Sequence, residues 1–165
     1  MKYALSMSGL VSDFSSGTGI VLNARHSALR VTEFRAEHRV DNAVTNTGEF
    51  MFNVAGLGEF VTLTDPVSTP PEYNRANVLS LEDPFSAVPF EAGYNLVATG
   101  DGVNPEAPTL SGDEYRIFWD LAQGLVWKNF DPGFYIPRGA VLFVQCAGNS
   151  SAALEMTVSM ELETA

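Results

Sequence analysis

Few residues in this 165-residue chain are of the types that do covalent or metal chemistry. His26 and His38 are its two histidines, with no acidic or Cys partner at ligand spacing and no His-x-His pair. A zinc or iron site needs three or four ligands converging on one point. No metal or cofactor is therefore expected, and both histidines read as surface residues of a polar segment. Cys146 ends an apolar run. A nucleophilic thiolate needs a neighbouring base and an electropositive setting, so Cys146 reads as a core thiol. A single cysteine also excludes a disulfide scaffold. No Gly-x-Ser-x-Gly elbow is present, and Ser16-Gly17-Thr18-Gly19 lacks the Lys and the spacing of a phosphate loop. Asp113, Glu114, Asp120 and Asp131 could supply a glycosidase pair only if two of them stood roughly 5–9 Å apart; they read as solvent-facing or loop-capping. Asp101, Asn104, Glu106 and Asp113 share an acidic loop without the ordered Asp-x-Asp-x-Asp-Gly of a calcium loop. Asn149-Ser150-Ser151 matches a glycosylation tripeptide that a tight turn also explains. The chain reads as non-enzymatic.

Residues suited to binding are easier to find. Arg25, Arg30, Arg35 and Arg39, offset by Glu33 and Glu37, form a basic strip of local charge +2 (4 − 2) in a chain of net charge −11. Clustered Arg suits bidentate pairing with carboxylates of a protein partner. Acidity elsewhere argues against a nucleic-acid face, which relies on Lys and Arg to neutralise phosphates. Trp119, Trp127, Phe130, Phe134 and Tyr135 could stack on sugar rings, although aromatics in a small β-domain more commonly pack in the core. With 45% hydrophobic, 11% aromatic and only 18% charged residues, the composition is that of a folded domain rather than an acidic disordered tail. No apolar run reaches the ~18 residues of a membrane helix. Lys2 and Tyr3–Val11 faintly suggest a leader, but Ser6, Ser8 and Gly9 break the run and no small-x-small site closes it.

The elements that must carry these residues read as β. The clearest is residues 154–162, where Leu154, Met156, Val158, Met160 and Leu162 alternate with polar residues. One face belongs in a core and the other in water. Glu49–Val54 alternates likewise, with Phe50, Phe52 and Val54 on the apolar face and Glu49, Met51 and Asn53 on the other. Further strands are expected at residues 20–22, 28–34, 59–64, 77–81, 94–98, 134–136 and 140–146. Between residues 28 and 34 the signals conflict, because Leu29 to Val31 is strand spacing and Val31 to Phe34 is helix spacing. Residues 111–122 offer a capping box at Ser111-x-x-Glu114 but also an alternation of Tyr115, Ile117 and Trp119. Strand is favoured, completing a hairpin with Leu125–Phe130 around Gln123-Gly124. Asp131-Pro132-Gly133 reads as a turn. Residues 1–24, rich in Ser and Gly, read as an extended N-terminal arm, and residues 65–93 as a Pro-rich loop. The expected architecture is one all-β domain at 25–165, a jelly-roll-like antiparallel β-sandwich with that arm.

Residues 130–144 (Phe-Asp-Pro-Gly-Phe-Tyr-Ile-Pro-Arg-Gly-Ala-Val-Leu-Phe-Val), followed by a turn and an alternating terminal strand, resemble the end of viral jelly-roll structural proteins. Phage head-decoration (cement) proteins share this cadence, as do lectin-like and TNF-like jelly rolls. The resemblance covers the last part of the chain only and carries no catalytic or binding residues. It implies a virion structural protein made in the host cytoplasm. Such a protein would be a homotrimer on the capsid surface that binds the major capsid protein and touches neither nucleic acid nor membrane. On that reading Arg25, Arg30, Arg35 and Arg39 are the partner-binding residues. The alternative is a carbohydrate- or receptor-binding β-sandwich of a phage tail.

Overall fold

The computed structural model describes residues 1–12, 19–38, 47–55, 62–64, 74–83, 85, 87–99, 115–120, 123–148 and 154–165. They form β1 (Lys2–Ser12), β2 (Gly19–Asn23), β3 (Leu29–His38), β4 (Thr47–Ala55), β5 (Thr62–Thr64) and β6 (Asn74–Arg75). There follow β7 (Asn77–Ser80), β8 (Glu91–Thr99), β9 (Tyr115–Asp120), β10 (Leu125–Ile136), β11 (Val141–Gly148) and β12 (Leu154–Thr164). Eight of these strands pair by one nested rule. β1 pairs with β12, β2 with β11, β3 with β10 and β4 with β9, all antiparallel. That nesting is a single long hairpin rolled upon itself. It yields the sheets β10–β3–β12–β1 and β2–β11–β4–β9, an eight-stranded jelly roll. The segment between β4 and β9 widens both sheets: β7 adds beside β1, β8 adds beside β2, and β5 and β6 pair with β8.

Alternation decides which face each strand buries. On β12, Met156, Val158, Met160 and Leu162 are all at most 1% exposed, as the sequence pattern requires. β3 explains its own mixed signal. Glu33 lies opposite Glu161 but Val31 lies opposite Leu162, so Thr32 is an extra, bulged residue. The bulge lets Leu29, Val31, Phe34, Ala36 and His38 all face inward despite the three-residue step. His38 is thus not the surface residue expected. It continues the inward series and packs 4.8 Å from the Trp119 ring. His26 is exposed.

Three further expectations change. Residues 1–12 and 19–24, the described part of the expected arm, do not leave the sandwich. β1 lies between β12 and β7, and β2 between β11 and β8. Tyr3, Leu5 and Met7 are at most 2% exposed, with small Ala4 and Ser6 on the other face. Second, β9 and β10 do not form a hairpin. β9 pairs with β4 and β10 with β3, so the connection around Gly124 (φ 73°) crosses from one sheet to the other. Third, Asp131-Pro132-Gly133 does not separate two strands. β10 runs through it with a bulge between Asn129 and Phe134 and a cis Asp131–Pro132 bond.

The core is aromatic where β3 and β10 face β4 and β9. Phe34 meets Phe50 and Phe52 edge-on at 4.9 and 5.2 Å. Phe52 in turn contacts Tyr115, Phe130 and Phe134. Each such pair contributes about 0.5–1.5 kcal/mol beyond the area buried. The second sheet is covered on its outer face as well. Val21, Phe143 and Asn53 stand in one cross-strand row, point away from the core, and are at most 3% exposed. Asn53, expected to face water, is therefore buried.

Candidate assembly interface

The parity of β3 that sends Phe34 and Ala36 inward sends Arg30, Arg35 and Glu37 outward. On the neighbouring edge strand β10, Val126, Lys128 and Phe130 turn toward the core side, leaving Leu125, Trp127 and Tyr135 on the outer face. The register sets Arg35 opposite Trp127, Arg30 opposite Tyr135 and Glu37 opposite Leu125. The Arg30 guanidinium carbon lies 5.7 Å from the Tyr135 ring centroid, a cation–π arrangement that holds both side chains on this face. Arg35 is 3.5 Å from Glu37, with both half-exposed, so the pair is worth little and leaves most donors of Arg35 usable. Trp127 is 62%, Tyr135 51% and Leu125 42% exposed. Trp, Tyr and Arg are the side chains that dominate protein–protein binding energy.

The structure divides the basic strip. Arg30 and Arg35 share the outer face of β3. Arg25 lies in the turn after β2 and pairs with Glu91 of β8 at 3.6 Å. Arg39 lies outside the described residues. The five candidate stacking aromatics divide too. Trp119 is buried against Phe50 at 5.6 Å, and Phe130 and Phe134 pack around Phe52 and Tyr115. Of the five, Trp127 and Tyr135 are exposed, Phe130 and Phe134 are partly buried, and Trp119 is buried. The Lys128 ammonium closes this end of the sandwich, 5.8 Å from the Tyr115 centroid and 6.0 Å from that of Phe130.

Exposed apolar side chains that the sequence reading missed include Leu125 beside Trp127 and Phe118 on β9. Phe118 is 73% exposed and stands between Arg116 and Asp120 on the outer face of β9. The alternation of Tyr115, Ile117 and Trp119 already implied that these three face the other way.

Of the candidate carboxylates, Asp120 and Asp131 are exposed, while Asp113, Glu114 and the residues of the acidic loop 100–114 lie outside the described residues. So do the 149–151 tripeptide and the side chain of Cys146. Glu33 and Glu161 are direct cross-strand neighbours and, with Ala4, Ser6 and Ser159, line one pocket on the outer face of the first sheet. Among the described residues no three His, Cys, Asp or Glu converge as a metal site. No helix among them is long and apolar enough to cross a membrane.

No protein-family profile and no curated protein matches the chain. Among solved structures, one of infectious bursal disease virus, Gx strain, is 6% identical with a TM-score of 0.19; it covers 99% of this chain, which spans 42% of that one. VP17, a capsid protein of bacteriophage P23-77, is 10% identical with a TM-score of 0.11, covering 97% of this chain and 90% of its own. TM-scores this low carry no argument about this chain.

Proposed function

We propose that this protein is a non-enzymatic structural component of a virion, a capsid decoration or cement protein that binds between subunits of the major capsid protein. The observation that carries the reading is the Arg30–Arg35–Leu125–Trp127–Tyr135 face. It combines desolvatable aromatic surface with guanidinium donors on a rigid sheet, and its Arg residues suit carboxylates on the partner. The jelly-roll topology supports the reading by presenting that face on an edge strand, where a neighbour has access. The trimeric state belongs to the same proposal. The test is co-sedimentation of the purified protein with capsids that lack it. Trp127→Ala and Arg35→Glu should each weaken binding about tenfold or more. Equal binding by both variants removes this face from the interface.

A carbohydrate- or receptor-binding module is the second reading, favoured by the exposure of Trp127 and Tyr135. It requires glycan binding that Trp127→Ala abolishes, and a glycan array without hits counts against it.

A further inference from the structure

We propose that the outer edge of β9 is a self-recognition strand that pairs antiparallel with β9 of a second copy across a two-fold axis centred on Phe118. β9 ends its sheet: it pairs with β4 on one side, and no strand among the described residues occupies its other side. Its outer face reads Arg116, Phe118, Asp120, with all three exposed and Phe118 at 73%. An exposed edge carrying a large apolar side chain is a template for another strand unless something guards it. Here the guards are complementary to themselves. An antiparallel pairing centred on Phe118 sets each Arg116 opposite the second copy's Asp120. Phe118 then stacks on its own counterpart between the two charge pairs. Opposite charges and paired aromatics directly across strands both favour pairing, whereas like charges in those positions oppose it. The contact is isologous, so each attractive pair occurs twice and the interface closes on itself instead of propagating.

Arg116 already lies 3.5 Å from Glu49, and Glu49 is the β4 residue in register with Phe118. Glu49 therefore sits diagonal to both position 116 and position 120. It holds the Arg116 side chain on the outer face, and a guanidinium has donors to serve Glu49 and a facing Asp120 together. β-Augmentation of this kind draws affinity from backbone hydrogen bonds and specificity from the alternate side chains. The two second sheets, each β2–β11–β4–β9, would become one continuous sheet through the two-fold. The contact is independent of the decoration reading: alone it makes a dimer, and a closed assembly that combines it with a trimer contact has an even number of copies, six at the least.

The experiment is light scattering coupled to size exclusion on the full chain over a dilution series. The wild type should run as an even-numbered assembly of the 17.8 kDa chain. Asp120→Arg sets Arg against Arg twice and should weaken the two-fold contact about tenfold or more. The charge exchange Arg116→Asp with Asp120→Arg sets Asp opposite Arg again and supplies Glu49 with a cation at position 120, so it should restore assembly. Thermal melts show whether each variant is folded. For any variant that is not, Phe118→Ser takes its place and should likewise dissociate the assembly. A wild type that stays monomeric or trimeric at every concentration overturns the proposal. So does an assembly indifferent to Asp120→Arg, or a charge exchange that folds but fails to restore it. None of these results bears on whether the protein is found in virions.

Discussion

Replacing Gly133 with alanine sets two effects of opposite sign against each other. Gly133 sits in the bulge of β10, outside the left-handed backbone region. An alanine there would be tolerated by the backbone and would lower the entropy of the unfolded chain, a gain of about 0.4–1 kcal/mol. The added Cβ, however, would lie 2.8 Å from the Arg30 Cβ and 3.2 Å from the Val31 carbonyl oxygen. Neither atom is the free end of a flexible side chain. Both belong to the stretch of β3 pinned between β10 and β12, so the strands must part. Overpacking of this kind costs about 1–3 kcal/mol. The steric cost wins, and net destabilisation of about 1–2 kcal/mol lowers the melting temperature by roughly 2–8 °C for a domain of this size. Differential scanning calorimetry or circular dichroism measures it. A melting temperature equal to or above that of the wild type would refute the close approach of β10 to β3, and with it the register that places Tyr135 beside Arg30.

Other outcomes follow from the same contacts. Phe34→Ala removes a fully buried ring and its two edge contacts, and should cost about 3–5 kcal/mol in denaturant unfolding. Val158→Asp or Met156→Asp places a charge in the core and should leave no cooperative melt; normal melting of either would show that the register of β12 is wrong. Glu161→Lys turns the like-charge pair with Glu33 into an attractive one and should stabilise by about 1 kcal/mol or less, an increment that high salt removes. Burial, and secondarily the charge of Glu82, raises the Tyr3 phenol above its ordinary 10.0. The unfolded chain therefore releases this proton first, so stability is complete below pH 10.0 and falls as pH rises toward the folded-state value. Tyr3→Phe should flatten that alkaline decline in melting temperature measured across the same range.

Legibility in the sequence followed locality. β12 and β4 could be read because their alternation is uninterrupted and one face is buried. β3 could not be read cleanly, because a single bulged residue, Thr32, shifts the phase midway and mimics a helical step. β1 was hidden by composition: the Ser and Gly content of the N-terminal stretch suggested an arm, although Tyr3, Leu5 and Met7 alternate on the inner face of the strand. The connection of β9 to β10 is a question of which sheet each strand joins, and nothing local encodes it. Asn53 was misplaced because alternation gives a residue's face but not whether that face is covered. At the proposed interface, clustering in sequence singles out Arg30 and Arg35 as candidates. It also grouped them with Arg25, which the turn after β2 carries to Glu91. Trp127 and Tyr135 are separated from Arg35 and Arg30 by a long stretch of chain, and only the β3–β10 ladder brings them together.

The central claim is that this jelly roll is a building part of a virus particle. Quantitative mass spectrometry of purified virions tests it most directly. The protein should be present in many copies per particle, in fixed ratio to the major capsid protein and retained through gradient purification. Its absence from particles, or a trace that falls with each purification step, would contradict the account.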